Sequence, residues 1–274
     1  MDIDLSINEK EVVTILKDFI KTYVQNAGCK NVVVGLSGGV DSAVVAVLCQ
    51  DALGKDNIYC LFMPTESTSQ DDIDHVTLLT KKFGLNCKRV DIDTAVTQIG
   101  TLCLEKPNRL TMANIKARVR MIILYAYANM TKSLVCGAAN KSELLTGYFT
   151  KYGDGGADIL PLGDLYKTQI SALAKFLGIP NEVTAKPPTA GLWKGQTDEQ
   201  ELGMKYETLD KVLYGLEQKF DTKDIAKRVN AKSSDVERIR QMRKHSQHKR
   251  KTPLIPKIGT RTPGLDWRAP VQEG

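Results

Sequence analysis

One stretch constrains this chain more than any other: Asn31 to Leu48, NVVVGLSGGVDSAVVAVL. Asn31 to Leu36, with Val32, Val33 and Val34 in a row, reads as a short strand buried on both faces. Ser37, Gly38, Gly39, Val40, Asp41 and Ser42 read as a tight polar turn, and Ala43 to Leu48 as a helix. α/β proteins hold phosphate on such a strand, glycine turn and helix. Glycine lets the backbone come close, and the free N–H groups at the helix start face the anion. Ser37 and Ser42 add hydroxyl donors. Asp41 is the odd member, because a carboxylate beside a phosphate is repulsive unless a cation lies between them. Asp41 therefore reads as a ligand of Mg²⁺ bridging to the phosphates. The stretch is neither G-x-x-x-x-G-K-[ST] nor G-x-G-x-x-G, so it is a different phosphate loop from those two.

The rest of the chain alternates in the same way. Glu9 to Val24 is an amphipathic helix. Asn57 to Met63 is a second strand, ended by Pro64. A polar segment, 65 to 74, leads into a helix that runs through Phe83 and stops at Gly84. Asn86 to Asp91 is a third strand, and Asp93 or Thr94 is placed to cap the helix that follows. Met112 to Asn129 is a long helix and Ser133 to Ala138 a fourth strand. Alternation with short loops predicts an α/β fold: a doubly wound, Rossmann-like parallel sheet flanked by helices, with right-handed crossovers. Ligands bind at the carboxyl ends of strands in such sheets, so the loops at Ser37, Pro64 and Ala138 should share one cleft.

Beyond the fourth strand lies a glycine-rich, aromatic loop, Gly147 to Gly163, long enough to suggest a task of its own. Tyr166 to Leu177 is helical, Thr184 to Gln200 irregular and mobile, and Glu201 to Phe220 mostly helical; two short helices fill Thr222 to Lys244. The expected organisation is a single domain over 1–274, with an α/β nucleotide-binding core to residue 185. A mobile loop, helices and a surface tail fill 186–274.

Composition excludes some classes. No apolar run approaches the roughly 20 residues of a membrane span, and the acidic N-terminus MDIDLSINEKE lacks a signal-peptide core. The six cysteines form no C-x-x-C pair, which fits buried thiols in a reducing, cytoplasmic compartment. His75, His245 and His248 have no metal spacing, and His75 reads as ordinary surface. The net charge of +6 suits an anionic ligand, and it is uneven: Lys223 to Lys251 holds eleven Lys or Arg against three Asp or Glu. Glu143, just past the fourth strand, is a candidate second Mg²⁺ ligand or an exposed helix carboxylate. Lys167, opening a helix after the glycine-rich loop, is a candidate phosphate contact or a solvated lysine.

The string S-G-G-x-D-S resembles the pyrophosphate loop of the ATP-pyrophosphatase group, which cleaves ATP between the α- and β-phosphates. Further stretches resemble ammonia-dependent NAD synthetase: Asn114 to Arg120, Gly147 to Asp158 (GYFTKYGDGGAD), Lys186 to Ala190, Thr197 to Gly203, and His248 to Arg250. The resemblance implies ATP-dependent amidation of deamido-NAD by ammonia through an NAD-adenylate, with AMP and pyrophosphate released. It implies ATP contacts from Gly35, Leu36, Ser37, Gly38, Gly39, Val40, Asp41, Ser42, Lys167 and Thr189, with Ser37, Asp41 and Lys167 at the chemistry. It implies Mg²⁺ on Asp41 and Glu143, and deamido-NAD contacts from Arg118, Lys151, Asp158, His248 and Lys249. It also implies a homodimer with the dinucleotide at the subunit interface. Ala138 departs from the family pattern, which places Thr there to help hold ATP. Only about 30 residues precede the first strand, so no glutaminase domain is expected in cis, which favours free ammonia.

Two rivals stand beside this reading. One is a tRNA-modifying ATP pyrophosphatase, for which Thr222 to Arg240 would be a helix-turn-helix gripping nucleic acid, a partner otherwise not expected. The other is a nucleotide-binding protein without catalysis, against which the pair Asp41 and Glu143 argues.

Overall fold

The computed structural model describes residues 3–193 and 195–262. The elements that carry the sheet and cover it are α1 (Glu9–Asn26), β1 (Asn31–Gly35), α2 (Val40–Leu53), β2 (Ile58–Phe62), α3 (Gln70–Phe83), β3 (Cys87–Arg89), α4 (Asp93–Thr101), α5 (Arg109–Thr131) and β4 (Ser133–Cys136). Then come α6 (Lys141–Thr146), α7 (Lys167–Phe176), α8 (Asn181–Thr184), α9 (Asp198–Leu202), α10 (Tyr206–Glu217), α11 (Thr222–Val229), α12 (Ser233–His245) and α13 (Gln247–Arg250). The four strands are parallel, in the order β3-β2-β1-β4, with Val34 opposite Cys60 on one side and Cys136 on the other. The expected doubly wound α/β sheet is present.

The valine run explains itself. Val32 and Val34 pack against α1, α2 and α7, while Val33 faces the opposite layer with α4 and α5, and all three are fully buried. A central parallel strand needs apolar residues on both faces, so it shows no alternation. α2 is likewise buried all round from Ser42 to Cys49, as a helix roofed by α1 and α7 must be.

Several boundaries differ from expectation. α2 begins at Val40, not Ala43, so Asp41 and Ser42 belong to its first turn; Gly39 at the cap has extended backbone and no side chain to compete for the N–H groups. The expected cap at Asp93 or Thr94 is not found. Asp93 is already the first residue of α4, Ile92 precedes it, and Asp91 Oδ1 accepts the Asp93 N–H at 3.3 Å. The helix expected over Glu201 to Phe220 is split, because Gly203 takes a left-handed conformation (φ 64°) and ends α9 before α10 begins. His75 is half-buried, with Nδ1 3.3 Å from the carbonyl of Gly38, rather than plain surface.

A second apolar core joins the C-terminal helices to the sheet domain. Leu209, Leu213, Ile225, Val236 and Ile239 pack with Tyr166 and half-buried Leu145 and Tyr148, all three of which precede residue 185. Residues 252–261 are exposed, Thr262 is buried, and the remainder of the proline- and glycine-rich tail lies outside the described residues. No helix among the described residues is long and apolar enough to cross a membrane.

Candidate active site

The loop between β1 and α2 closes on itself. Ser42 Oγ donates to the Gly39 carbonyl at 2.9 Å and accepts the Ser37 N–H at 3.1 Å, and the two serine hydroxyls meet at 3.0 Å. Gly38 must be glycine: its φ is +85°, and a Cβ there would come within 2.6 Å of the Asp72 carbonyl on α3. The loop is thus wedged between its own helix and the start of α3, with the α2 N-terminus at the carboxyl end of the sheet. Asp41 sits in that first turn, where the helix dipole favours a negative charge.

Asp41 does not stand alone. Its Oδ2 is ion-paired with Lys167 Nζ, and the two side chains are only 17 % and 7 % exposed. Asp41 Oδ1 is buried with no hydrogen-bond partner. Lys167 is the first residue of α7; its N–H donates to Ser142 Oγ at 3.0 Å, and Ser142 donates in turn to buried Asp210 at 2.5 Å. Ser142 lies on α6, beside Glu143. α6 begins with a reciprocal cap: Asn140 Oδ1 accepts the Glu143 N–H at 2.9 Å, and Glu143 Oε2 accepts the Asn140 N–H at 3.2 Å. Two short helix starts therefore deliver Glu143 and Lys167 to Asp41.

The charges respond to one another. Burial, and next the charge of Asp41, push the Glu143 carboxyl well above the ordinary range, against the pull of Lys167. Burial works against a charged Lys167, but Asp41 and Glu143 outweigh it and raise its pKa, so the lysine stays protonated. Asp198, at the start of α9, joins the group. It is 4 % exposed, burial raises its pKa, and its Oδ1 also has no partner.

These groups line a cleft of about 470 Å³. Gly35, Leu36, Ser37, Gly39, Asp41 and Ser42 line it, as do Glu143, Lys167 and Thr189. Of the expected loop contacts, Gly38 is turned against α3 and half-buried Val40 packs on the core beneath. Ala138 lines the cleft with a methyl where a hydroxyl would donate. Leu192 and Trp193 reach across to α5 and residue 67. Lys116 Nζ donates to the Leu192 carbonyl at 3.2 Å, and Trp193 stacks under Arg109 at 4.6 Å.

The five expected dinucleotide residues fall differently. Lys249 lines the cleft, donating to the carbonyls of Gly147 at 2.7 Å and Phe149 at 2.9 Å. The other four lie outside the lining. Arg118, exposed on α5, donates from Nε to the Lys151 carbonyl at 3.2 Å, and Lys151 Nζ donates to the carbonyl of exposed His248 at 2.7 Å. Asp158 accepts the Tyr125 hydroxyl at 3.1 Å and the Val135 N–H at 2.7 Å. Sequence reasoning missed Asp198 and Tyr148, which line the cleft, and Tyr206, whose hydroxyl donates to Asp198 at 3.3 Å. Asp198 lies within the matched string Thr197 to Gly203, but nothing in its local pattern separates it from any acid opening a helix.

Comparison with known proteins gives the family. The family model described as NAD synthase matches residues 12–253. The NH(3)-dependent NAD(+) synthetase of Sulfolobus acidocaldarius is 43% identical over 272 residues, covering 98% of this chain and 96% of the relative. That of Pyrococcus furiosus is 44% identical over 253 residues, covering 92% and 96%. Among solved structures, NMN synthetase from Francisella tularensis superposes with a TM-score of 0.83 at 33% identity, covering 92% of this chain and 100% of that one. An NH3-dependent NAD synthetase from Campylobacter jejuni gives 0.79 at 30% identity, with the same coverage.

Proposed function

This chain belongs to the NAD synthase family and is a ligase that amidates deamido-NAD with ammonia and ATP, and we propose that the cluster Asp41, Lys167 and Glu143 beneath the 35–42 loop is where it does so. The observation that carries this assignment is the convergence of those three charges at the carboxyl edge of the sheet, below a loop shaped for phosphate.

A nicotinate carboxylate does not yield to ammonia until one of its oxygens becomes a good leaving group. The carboxylate oxygen attacks the α-phosphorus of ATP, pyrophosphate departs, and NAD-adenylate forms. Ammonia then attacks the acyl carbon, and AMP leaves as NAD is released. The work of the protein is positioning and charge neutralisation. The 35–42 backbone and the Ser37 and Ser42 hydroxyls cradle the departing pyrophosphate, Lys167 neutralises it, and Thr189 closes on the nucleotide from the other side.

The donor set suits Mg²⁺: Asp41 offers a buried oxygen without a partner, and Glu143 is a carboxylate whose ionised form is disfavoured until a cation arrives. Among the described residues no three His, Cys, Asp or Glu side chains are grouped to hold a metal unaided. Mg²⁺ typically takes one or two carboxylates and completes its shell with phosphate and water. Asp41 and Glu143 would hold it, and when bound it screens the charge developing on pyrophosphate.

We assign deamido-NAD to Lys249 within the cleft and to Arg118, Lys151, Asp158 and His248 at its outer edge. Arg118 and exposed Ile122 lie one turn apart on α5, and Leu110 and Met130 are exposed on the same helix. Exposed Ile122 beside Arg118 supports a homodimer whose second copy covers it and completes that part of the site. All six cysteines are free thiols, which supports a cytoplasmic setting. The tRNA reading is not favoured. α11 and α12 pack their apolar faces on α10, and several cations of the basic run are engaged within the chain: Arg238 with the Leu202 carbonyl, Arg240 with Thr222, Arg250 with Leu144.

The test is one incubation with ATP, Mg²⁺ and deamido-NAD, offering ammonium or glutamine and reading NAD, AMP and pyrophosphate. NAD from ammonium but not from glutamine is expected. ATP consumed only with tRNA, and no NAD, would overturn the assignment.

A further inference from the structure

Lys167 feels the charges of three carboxylates, Asp41, Glu143 and Asp198, and its Nζ lies 5.7 Å from the centre of the Tyr206 ring, whose hydroxyl donates to Asp198 Oδ2 at 3.3 Å. Its ion pair is with Asp41, so the lysine ammonium stands on the carboxylate that the proposed function gives to Mg²⁺. Two cations cannot share that oxygen cheaply, since like charges at contact distance repel strongly in a half-dry site. Lys167 has to leave Asp41 as the metal–nucleotide enters. Glu143 is the other proposed metal ligand, which leaves Asp198 as the one carboxylate of the three without that task.

Asp198 is built for such a role. It is 4 % exposed and lines the cleft. Its Oδ1 is buried without a hydrogen-bond partner, while Oδ2 accepts the Tyr206 hydroxyl at 3.3 Å. Its backbone N–H is tied to the Pro188 carbonyl at 3.0 Å, next to Thr189, so the carboxylate is anchored to the same segment that closes on the nucleotide. A buried acceptor left open is costly unless it has a use.

The geometry points to Asp198 as a positioning residue that receives the Lys167 ammonium when Asp41 turns to the metal, and holds it directed at the phosphates. This inference rests on the proposed function, because it presumes that Asp41 binds the metal. Asp198 touches neither metal nor substrate in this role; it acts through Lys167.

The experiment is calorimetric, on the full chain, with an ATP analogue whose α,β-bridging oxygen is replaced by methylene. Affinity is measured with and without Mg²⁺, and the ratio of the two dissociation constants is the metal gain. Asp198→Asn should lower the gain about tenfold, the scale of one hydrogen bond to a charged group, because Lys167 then has no other seat than Asp41. Lys167→Met removes the competitor, so Asp198→Asn added to Lys167→Met should leave the gain within about twofold of that variant alone. A merely structural role for Asp198 would lower the melting temperature without moving this ratio. Unchanged gain in Asp198→Asn overturns the inference, and so does an equal fall on the Lys167→Met background, which would place Asp198 on the metal itself. A wild-type protein with no metal gain fails differently: it overturns the metal reading of Asp41 and Glu143. Should Asp198→Asn not fold, Tyr206→Phe keeps the carboxylate but removes the hydroxyl that fixes its direction toward Lys167. It should lower the gain about threefold, and no change there also overturns the inference.

Discussion

The wall of the cleft made by residues 35–42 is held by its own members. Ser37, Gly39 and Ser42 bond to one another across at most five positions in the chain. The opposite wall, residues 147–158, has turns of its own, such as the Thr150 N–H to Asp154, but is also held from far away. Lys249 ties down the carbonyls of Gly147 and Phe149, and Arg250 those of Leu144 and Leu145, each about a hundred positions distant in sequence. The first wall needs only β1, α2 and their neighbours β2 and α3, all within the first 83 residues. The second needs α12 and α13 docked, and therefore the whole C-terminal core. Groups assigned to phosphate and metal lie on or against the first wall, while those assigned to the dinucleotide lie on the second wall or on α5 and α13 beside it. Damage to the first should destroy chemistry and spare the fold, and damage to the second should do the reverse.

The sharpest form of that contrast is Asp41→Ala. Removing this carboxylate should lower NAD formation by roughly three orders of magnitude, the scale lost when a preorganised charge at the reacting centre is deleted. The melting temperature should move little, because the charges of Glu143 and Asp198 still act on the buried Lys167. Steady-state assays beside thermal unfolding check both halves; near-normal turnover would remove Asp41 from the chemistry.

Gly147→Ala attacks the other wall. Gly147 has φ +75°, and a Cβ there would lie 2.1 Å from Ser246 Cβ. Backbone strain and the clash together should cost about 3 kcal/mol of stability, read by denaturant unfolding. Ser246→Gly in the same chain should recover part of that loss, the part due to the clash and not the part due to φ. No recovery would mean that the corner between α12 and α13 does not press on this wall.

The two walls also differ in how legible they were. Serine, glycine and aspartate in fixed order after a valine strand leave few physical readings, so the first wall and its residues follow from one stretch. The four parallel strands follow likewise, because β1, β2 and β4 are nearly continuous apolar runs. α2 starts three residues early because Gly39, with no side chain, serves as its cap, and glycine caps leave little trace in a sequence. Glu143 and Lys167 were candidates by position, each beside an equally plain surface reading, until the family likeness favoured them; what brings them to Asp41 is the pairing of the starts of α6 and α7 through Ser142 and Asp210, a contact between residues 68 positions apart. Asp198 was illegible for a related reason: its role depends on what it faces, and that is set by tertiary packing. The basic run after Lys223 looked like a surface for nucleic acid because composition cannot show that Arg238, Lys249 and Arg250 point inward at carbonyls.

Arg250→Gln probes the second wall more gently. Its guanidinium donates to four acceptors: the carbonyls of Leu144, Leu145 and Arg243, and Ser246 Oγ. The amide of glutamine is too short and too poor in donors to replace them. About 2 kcal/mol of stability should be lost. KM for deamido-NAD should rise more than kcat falls, because the displaced wall carries Lys249. A variant that loses kcat alone would put Arg250 nearer the chemistry than its contacts indicate.

The smallest effect belongs to the segment around Leu192 and Trp193, which line the cleft between these walls. Trp193 stacks under Arg109 and Lys116 holds the Leu192 carbonyl, so the segment is pinned to the start of α5 by one ring contact and one charged hydrogen bond. A cation–π contact with an exposed arginine contributes about 0.5–1 kcal/mol, so Trp193→Ala should raise KM for ATP only two- to fourfold. Stability should not change, since neither partner belongs to an apolar core. The discriminating measurement is limited proteolysis around residue 195. In the wild-type protein ATP with deamido-NAD should slow cleavage there, and in Trp193→Ala the protection should be weaker but present, because Lys116 and the Asp198 N–H bond to Pro188 remain. Protection that substrates do not alter in the wild type would mean that the segment is fixed independently of the site, and the cleft would then close on its substrates by some other element.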